Sequence, residues 1–153
     1  MEIVSKKGIS GAVKYMLDMI LAGGAAIVIS LPVCLKWCFE NLAWSAGENY
    51  WFLLGFLFVT GAFGLVMVYE LRRMFRSIND RKPFQRQNAT CLKRIAIMAL
   101  FISAAYIIKI IFYISFLTII VALGFLLFGL AGLVFSEVFS QAIEVKEEND
   151  LTI

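Results

Sequence analysis

At 153 residues the chain holds one domain's worth of material, yet 61% of it is hydrophobic and only 16% charged, against about 45–50% and about 25% in an ordinary soluble domain. A soluble core of this size has too little interior to bury so much apolar surface, which excludes a water-soluble globule and makes lipid the solvent for much of the surface. The chain has no histidine and a net charge of +3, so the commonest general base and metal ligand are missing.

The first apolar run covers residues 15–38, after Lys6, Lys7 and Lys14. It far exceeds the roughly 7–15 residues of a signal-peptide core, so it is predicted to span the membrane. Leu31-Pro32-Val33-Cys34 superficially resembles a lipoprotein cleavage site, but Val33 stands where a small residue is needed. Cys34 and Cys38 are one helical turn apart, about 5–6 Å between Cβ atoms, too far for a disulfide. The second run covers residues 50–71. Both runs match the ~20 residues that cross about 30 Å of hydrocarbon.

Residues 72–94 carry eight Lys or Arg and one acid, Asp80. Leu71, Met74, Phe75 and Ile78 recur at helical spacing, with Arg72, Arg73 and Arg76 between them. The second span is therefore predicted to continue as an amphipathic helix at the headgroup level. Asn79-Asp80 and Lys82-Pro83 break it, and a new helix begins just after Pro83.

From residue 95 to 136 the only formal charge is Lys109. A single helix there would reach about 63 Å, twice the hydrocarbon thickness, so the stretch must fold back. Tyr113, Ser115 and Thr118 mark its least apolar part, which places a tight outer turn near residues 113–117 and gives spans at residues 95–112 and 118–136. The fourth span continues as a helical tail over 137–153, with Val138, Phe139, Ala142 and Ile143 as an apolar stripe and Glu144, Glu147, Glu148 and Asp150 at an acidic end. The expected fold is an all-α membrane protein, a four-transmembrane-helix bundle forming one domain.

Orientation follows from Lys and Arg placement. With both termini cytoplasmic, the inner side receives Lys6, Lys7, Lys14, Arg72, Arg73, Arg76, Arg81, Lys82, Arg86, Lys93, Arg94 and Lys146, and the outer side only Lys36 and Lys109. Trp37, Trp44, Trp51 and Tyr50 then form an outer aromatic belt.

Asp18 lies about one turn inside the first span, where Lys14 on the same face offers a partner. Glu70 and Glu137, at the inner ends of the second and fourth spans, are placed to pair with Arg72, Arg73 or Arg94. Together these residues make a candidate charge network that fixes helix register. Lys109 is expected to snorkel outward or to meet Glu40 or Glu48. The basic segment serves topology and anionic lipid, or docks a cytoplasmic partner or the chain's own acidic tail. Small residues at four-residue spacing (Ala22, Ala26 and Ser30; Thr60 and Gly64; Ala99 and Ser103; Gly132 and Ser136) suit close helix packing, within one chain or between copies. No phosphate loop, nucleophile elbow or metalloprotease motif is present, so neither enzymatic activity nor a metal or other cofactor is expected.

Two segments carry a resemblance. Arg81-Lys82-Pro83-Phe84-Gln85-Arg86-Gln87-Asn88 followed by Leu92-Lys93-Arg94-Ile95, and Glu137-Val138-Phe139 followed by Glu147-Glu148-Asn149-Asp150-Leu151-Thr152, resemble the central and terminal signatures of the bacterial membrane family called domain of unknown function 2975. The resemblance implies a four-span bundle in a bacterial plasma membrane. It also implies a partner, because members are often encoded beside a small helix-turn-helix regulator. It supplies no catalytic or ligand-binding residues.

The expectation is a non-enzymatic membrane regulator or sensor. Arg81, Lys82, Pro83, Phe84, Asn88, Glu147, Glu148, Asn149 and Asp150 are its candidate partner-docking residues, with a helix-turn-helix transcription factor as the candidate partner. Direct nucleic-acid binding is not expected. A small oligomeric transporter or channel, using Asp18, Ser30, Thr60 and Lys109, is one alternative. A self-protection protein against membrane-active peptides, using Trp44, Tyr50 and Trp51, is the other.

Overall fold

Apolar runs of this length satisfy their backbone internally only as helices in a bilayer, and the computed structural model is helical almost throughout. It describes residues 9–41, 49–79 and 85–152. Four helices follow in order: α1 (Ile9–Asn41), α2 (Tyr50–Asn79), α3 (Arg86–Phe112) and α4 (Phe116–Leu151). Each is long and apolar enough to cross a membrane, and the fold is an all-α four-helix bundle. Large apolar side chains such as Met19, Ile29, Ile111 and Phe135 face outward, as they do in a multi-pass membrane protein.

The tight turn lies at residues 113–115. The Tyr113 amide donates back to the Lys109 carbonyl at 2.8 Å to close α3, and Ser115 in extended backbone opens α4. α2 runs on past its apolar span through the arginines to Asn79, α3 begins at Arg86, and α4 carries its helix through the acidic tail to Leu151.

The helices pack in sequence order. α1 lies on α2, α2 on α3 and α3 on α4, and among the described residues no other pair comes into close backbone contact. The α3–α4 seam is the tightest. A Cβ on Gly129 would stand 2.6 Å from Leu100 Cδ2 and 3.1 Å from the Ala96 carbonyl oxygen, and one on Gly132 would stand 2.9 Å from Ala96 Cβ. Ala96, Ala99, Ser103 and Ser136 are buried along this seam, and the Ser103 hydroxyl donates across it to the Ala122 carbonyl at 2.8 Å. Both small-residue stripes expected on these helices therefore lie at an interface.

On α1 the expected stripe does not. Ala22 and Ala26 are exposed. The contact face is instead set by the buried Leu17 and Leu35 with Gly24 and Val28 between them. Gly24 admits Leu65 of α2 and Gly61 of α2 admits Val28, each at 2.9 Å from where a Cβ would be. Helix faces one residue apart are separated by about 100°, so adjacent small residues do not reveal from sequence which one faces the neighbour.

Opposite the arginines lies an aromatic end. Phe52 sits 5.2 Å from Phe112 and 5.3 Å from Tyr113 between ring centroids, and the Tyr50 hydroxyl donates to the Pro32 carbonyl at 3.2 Å. Trp37 and Trp51 are exposed here, while Trp44 and Glu48 lie outside the described residues. Glu40 stands 4.0 Å from Lys36, and Lys109 places its ammonium 5.3 Å from the Phe56 ring centroid, a cation–π geometry.

Gly129→Val should destabilise the bundle by about 1–3 kcal/mol, the usual cost of overpacking. Gly124→Ala, where a new Cβ meets nothing within 4 Å, should leave stability unchanged or slightly raised. Thermal unfolding of the detergent-solubilised protein distinguishes the two.

Candidate functional site at the arginine-rich end

The charged side chains gather where α2 leaves its apolar span and α3 begins. Among the described residues three ion pairs between helices lie here, and each joins one pair of neighbouring helices. Asp18 of α1 meets Arg72 of α2. Glu70 of α2 accepts from Arg94 Nη1 of α3 at 2.9 Å. Arg86 of α3 forms a two-pronged contact with Glu147 of α4, Nη2 to Oε2 at 2.7 Å and Nε to Oε1 at 3.4 Å. The pairs therefore follow the order in which the helices pack.

Their surroundings differ. The Glu70 side chain is 5% exposed and that of its partner Arg94 51%. The Cys91 thiol, buried on α3, also lies against the Glu70 carboxylate. A carboxylate this deep depends on its partner, since breaking a buried pair leaves one charge uncompensated. Asp18 and Arg72 are about one-third exposed, and the Arg86–Glu147 pair is mostly exposed.

The tail beyond the fourth apolar span is docked on α3. Arg86 facing Glu147 and Ala96 facing Gly132 fix an antiparallel register, which sets Ile143 level with the first turns of α3. Ile143 is 2% exposed, whereas Val138 of the expected apolar stripe is 57% exposed. The Arg86 guanidinium holds the Glu147 carboxyl below the usual carboxylate range, chiefly through the hydrogen bond and then through charge attraction.

Several expected site residues take different places. Asp18 meets Arg72 across the helix interface and makes no ion pair with Lys14. The i,i+4 neighbour is the partner most visible in sequence, but the guanidinium of the neighbouring helix reaches the carboxylate instead, whereas Glu70 does meet Arg94, one of its expected partners. Arg73 has no ion pair among the described residues, though Glu70 lies within its electrostatic reach. Glu137 is exposed and likewise forms no ion pair among them. Asn88 is 1% exposed, so it cannot itself touch a docking partner. Arg81, Lys82, Pro83 and Phe84 lie outside the described residues, while Glu148, Asn149 and Asp150 are exposed on the tail helix. Arg86 was not among the expected site residues, although it sits within the Arg81–Asn88 motif. Among the described residues no group of His, Cys, Asp or Glu is arranged to hold a metal ion.

The family model described as "Protein of unknown function (DUF2975)" matches residues 37–153, well over half the chain. The chain belongs to this family. No curated protein and no solved structure matches it. The DUF2975 match spans α2, α3 and α4 with the end of α1, so it takes in both the Glu70–Arg94 and the Arg86–Glu147 pairs.

Two outcomes follow. Arg94→Gln should lower the unfolding temperature, and adding Glu70→Gln should recover most of that loss by removing the stranded carboxylate, a non-additivity that a double-mutant cycle reads directly. Tail docking should respond to pH with a definite sign. A carboxylate whose folded pKa is depressed stabilises the docked form at any pH above the usual carboxylate range, and that contribution is lost as pH falls through the lowered value. Protection of the amides at residues 144–151, taken relative to intrinsic exchange at each pH, should therefore hold at neutral pH and fall in acid below the usual carboxylate range.

Proposed function

We propose that the protein is a non-enzymatic membrane regulator that presents the α3 start and the docked α4 tail to a cytoplasmic protein. The supporting observation is the Arg86–Glu147 contact. It holds an acidic helix against a basic helix start through an exposed ion pair and one buried apolar residue, Ile143. An exposed pair is weak and screened by salt, so the tail is held by a latch that a competing charged surface can open. Glu148, Asn149 and Asp150 are already exposed and would form the first contact.

The positive-inside rule supports the orientation this reading needs. The arginine-rich end carries Lys14, Arg72, Arg73, Arg76, Arg86, Lys93, Arg94 and Lys146, and it becomes the cytoplasmic end with both termini. The resemblance of the two motifs makes a helix-turn-helix regulator encoded nearby the first partner to test. Two mid-bundle hydroxyls, buried Ser103 and half-buried Thr60, favour this reading over a conduit. Ser103 spends its hydrogen on the Ala122 carbonyl and Thr60 on the Phe56 carbonyl.

The test uses the full-length protein in gentle detergent with the neighbouring helix-turn-helix protein as bait. Arg86→Glu should change co-purification several-fold, and the swap Arg86→Glu with Glu147→Arg should restore it. If no binding occurs, or if binding ignores both the latch variants and removal of residues 147–152, the reading fails. Orientation is checked separately. On a cysteine-free background, a cysteine replacing Thr152 should react with a membrane-impermeant maleimide only after cells are opened.

A further inference from the structure

The polar face of the α2 extension is built from Tyr69, Arg72, Arg73 and Arg76, spaced i, i+3, i+4 and i+7 along one side of the helix. That face borders a cleft of about 440 Å³, closed on one side by Lys14 of α1 and on the other by Gln85 and its neighbours at the start of α3. Among the described residues four cations line it, and no carboxylate does. Asp18 approaches from outside the lining and is committed to Arg72, while Glu70 turns to Arg94 on α3. Lys14, Arg73 and Arg76 are thus left without an ion pair among the described residues. Gln85 accepts from the Ser77 hydroxyl through its Oε1 at 3.2 Å, which presents its amide N–H groups as donors.

We propose that this cleft is a binding site for a phosphate-bearing anion. Three like charges converging on one concavity repel one another until an anion neutralises them. The geometry suits phosphate better than carboxylate: arginine forks match phosphate oxygens two at a time, and a tetrahedral group can serve several donors at once. The volume has room for more than a bare ion. Basic pockets between membrane helices bind phospholipid headgroups on this principle, and a soluble phosphate compound presents the same chemistry. Neither Arg86 nor Glu147 of the tail latch lines the cleft.

The test takes the full-length protein, delipidated in a neutral detergent, and follows its unfolding midpoint and, by native mass spectrometry, its retained ligand. Phosphatidylglycerol, phosphatidylcholine and pyrophosphate are titrated in separate arms. A rise in midpoint with phosphatidylglycerol alone identifies a lipid headgroup, and a rise with pyrophosphate identifies a soluble ligand. Phosphatidylcholine should give neither a rise nor a retained adduct. The double substitution Arg73→Gln and Arg76→Gln removes side chains with no ion pair among the described residues, and circular dichroism reports its folding. It should weaken binding by about tenfold per arginine, roughly the worth of one charge-assisted hydrogen bond. Lys14→Gln should weaken it from the α1 side, while Lys93→Gln, outside the cleft at the same end of the bundle, should not. Failure of both anionic probes to bind, or an equal loss from Lys93→Gln, would overturn the assignment in favour of general electrostatic attraction.

Discussion

In lipid, an apolar side chain gains little by meeting another apolar side chain in place of an acyl chain. What holds such a bundle is close backbone approach and polar contact, and everything else here depends on where those occur. Ala96, Gly129 and Gly132 supply the approach between α3 and α4, where even one added methyl group would collide. Ser103 adds a buried hydrogen bond to the same seam. That pair of helices is the fixed part of the molecule, and it carries most of the buried residues.

The rest of the bundle is attached to this pair in order. α2 meets α3 through rings, with Phe56 against Tyr106 and Phe63 stacked on Phe101, and through Glu70 and Arg94. Among the described residues α1 packs on α2 alone, through the interlocking Gly24–Leu65 and Val28–Gly61 contacts and through Asp18 and Arg72. Because the order is serial, α1 and α4 do not close on each other. An apolar cleft of about 300 Å³ opens between them, with Ile27 and Leu31 on one wall, Phe125 on the other and Gly61 at its floor.

The sequence displayed some of this plainly and hid the rest for definite reasons. The four spans and a turn near 113–117 were legible because a stretch twice the membrane thickness, with Lys109 as its one charge, has to fold back; the observed turn is tighter, with α4 starting at Phe116. The helical tail was legible from its stripe, although only Ile143 of that stripe is fully buried. Which acid meets which base was less accessible. The i,i+4 neighbour Lys14 is visible on paper, whereas Arg72 lies 54 positions away and reaches Asp18 only once α1 and α2 are in register. Asn88 sits in a stretch rich in Arg and Gln, which reads as surface. Its burial follows from the start of α3 at Arg86, which turns Asn88 inward within the first turn of the helix. Arg86 itself had no sequence signal beyond its place in the motif, since its partner lies 61 residues away.

The first turn of α3 is where the two exposed features of the arginine-rich end come closest. Arg86 reaches outward to the tail while Gln85 and Gln87 line the cationic cleft, so three consecutive residues border both. Behind them Asn88, Ala89 and Cys91 are buried and Glu70 is paired with Arg94, whereas the Arg86–Glu147 contact on the tail side is exposed. Coupling between distant sites needs an element with two arrangements that each site biases differently. The deep Glu70–Arg94 pair is poorly suited to that role, because breaking it strands a buried carboxylate. The α3 start is better suited: its cap lacks a side-chain hydrogen bond, its contact with the tail is exposed, and a small rotation would move Arg86 and Gln87 together. An anion in the cleft and a protein on the tail would then act on the same turn from its two sides.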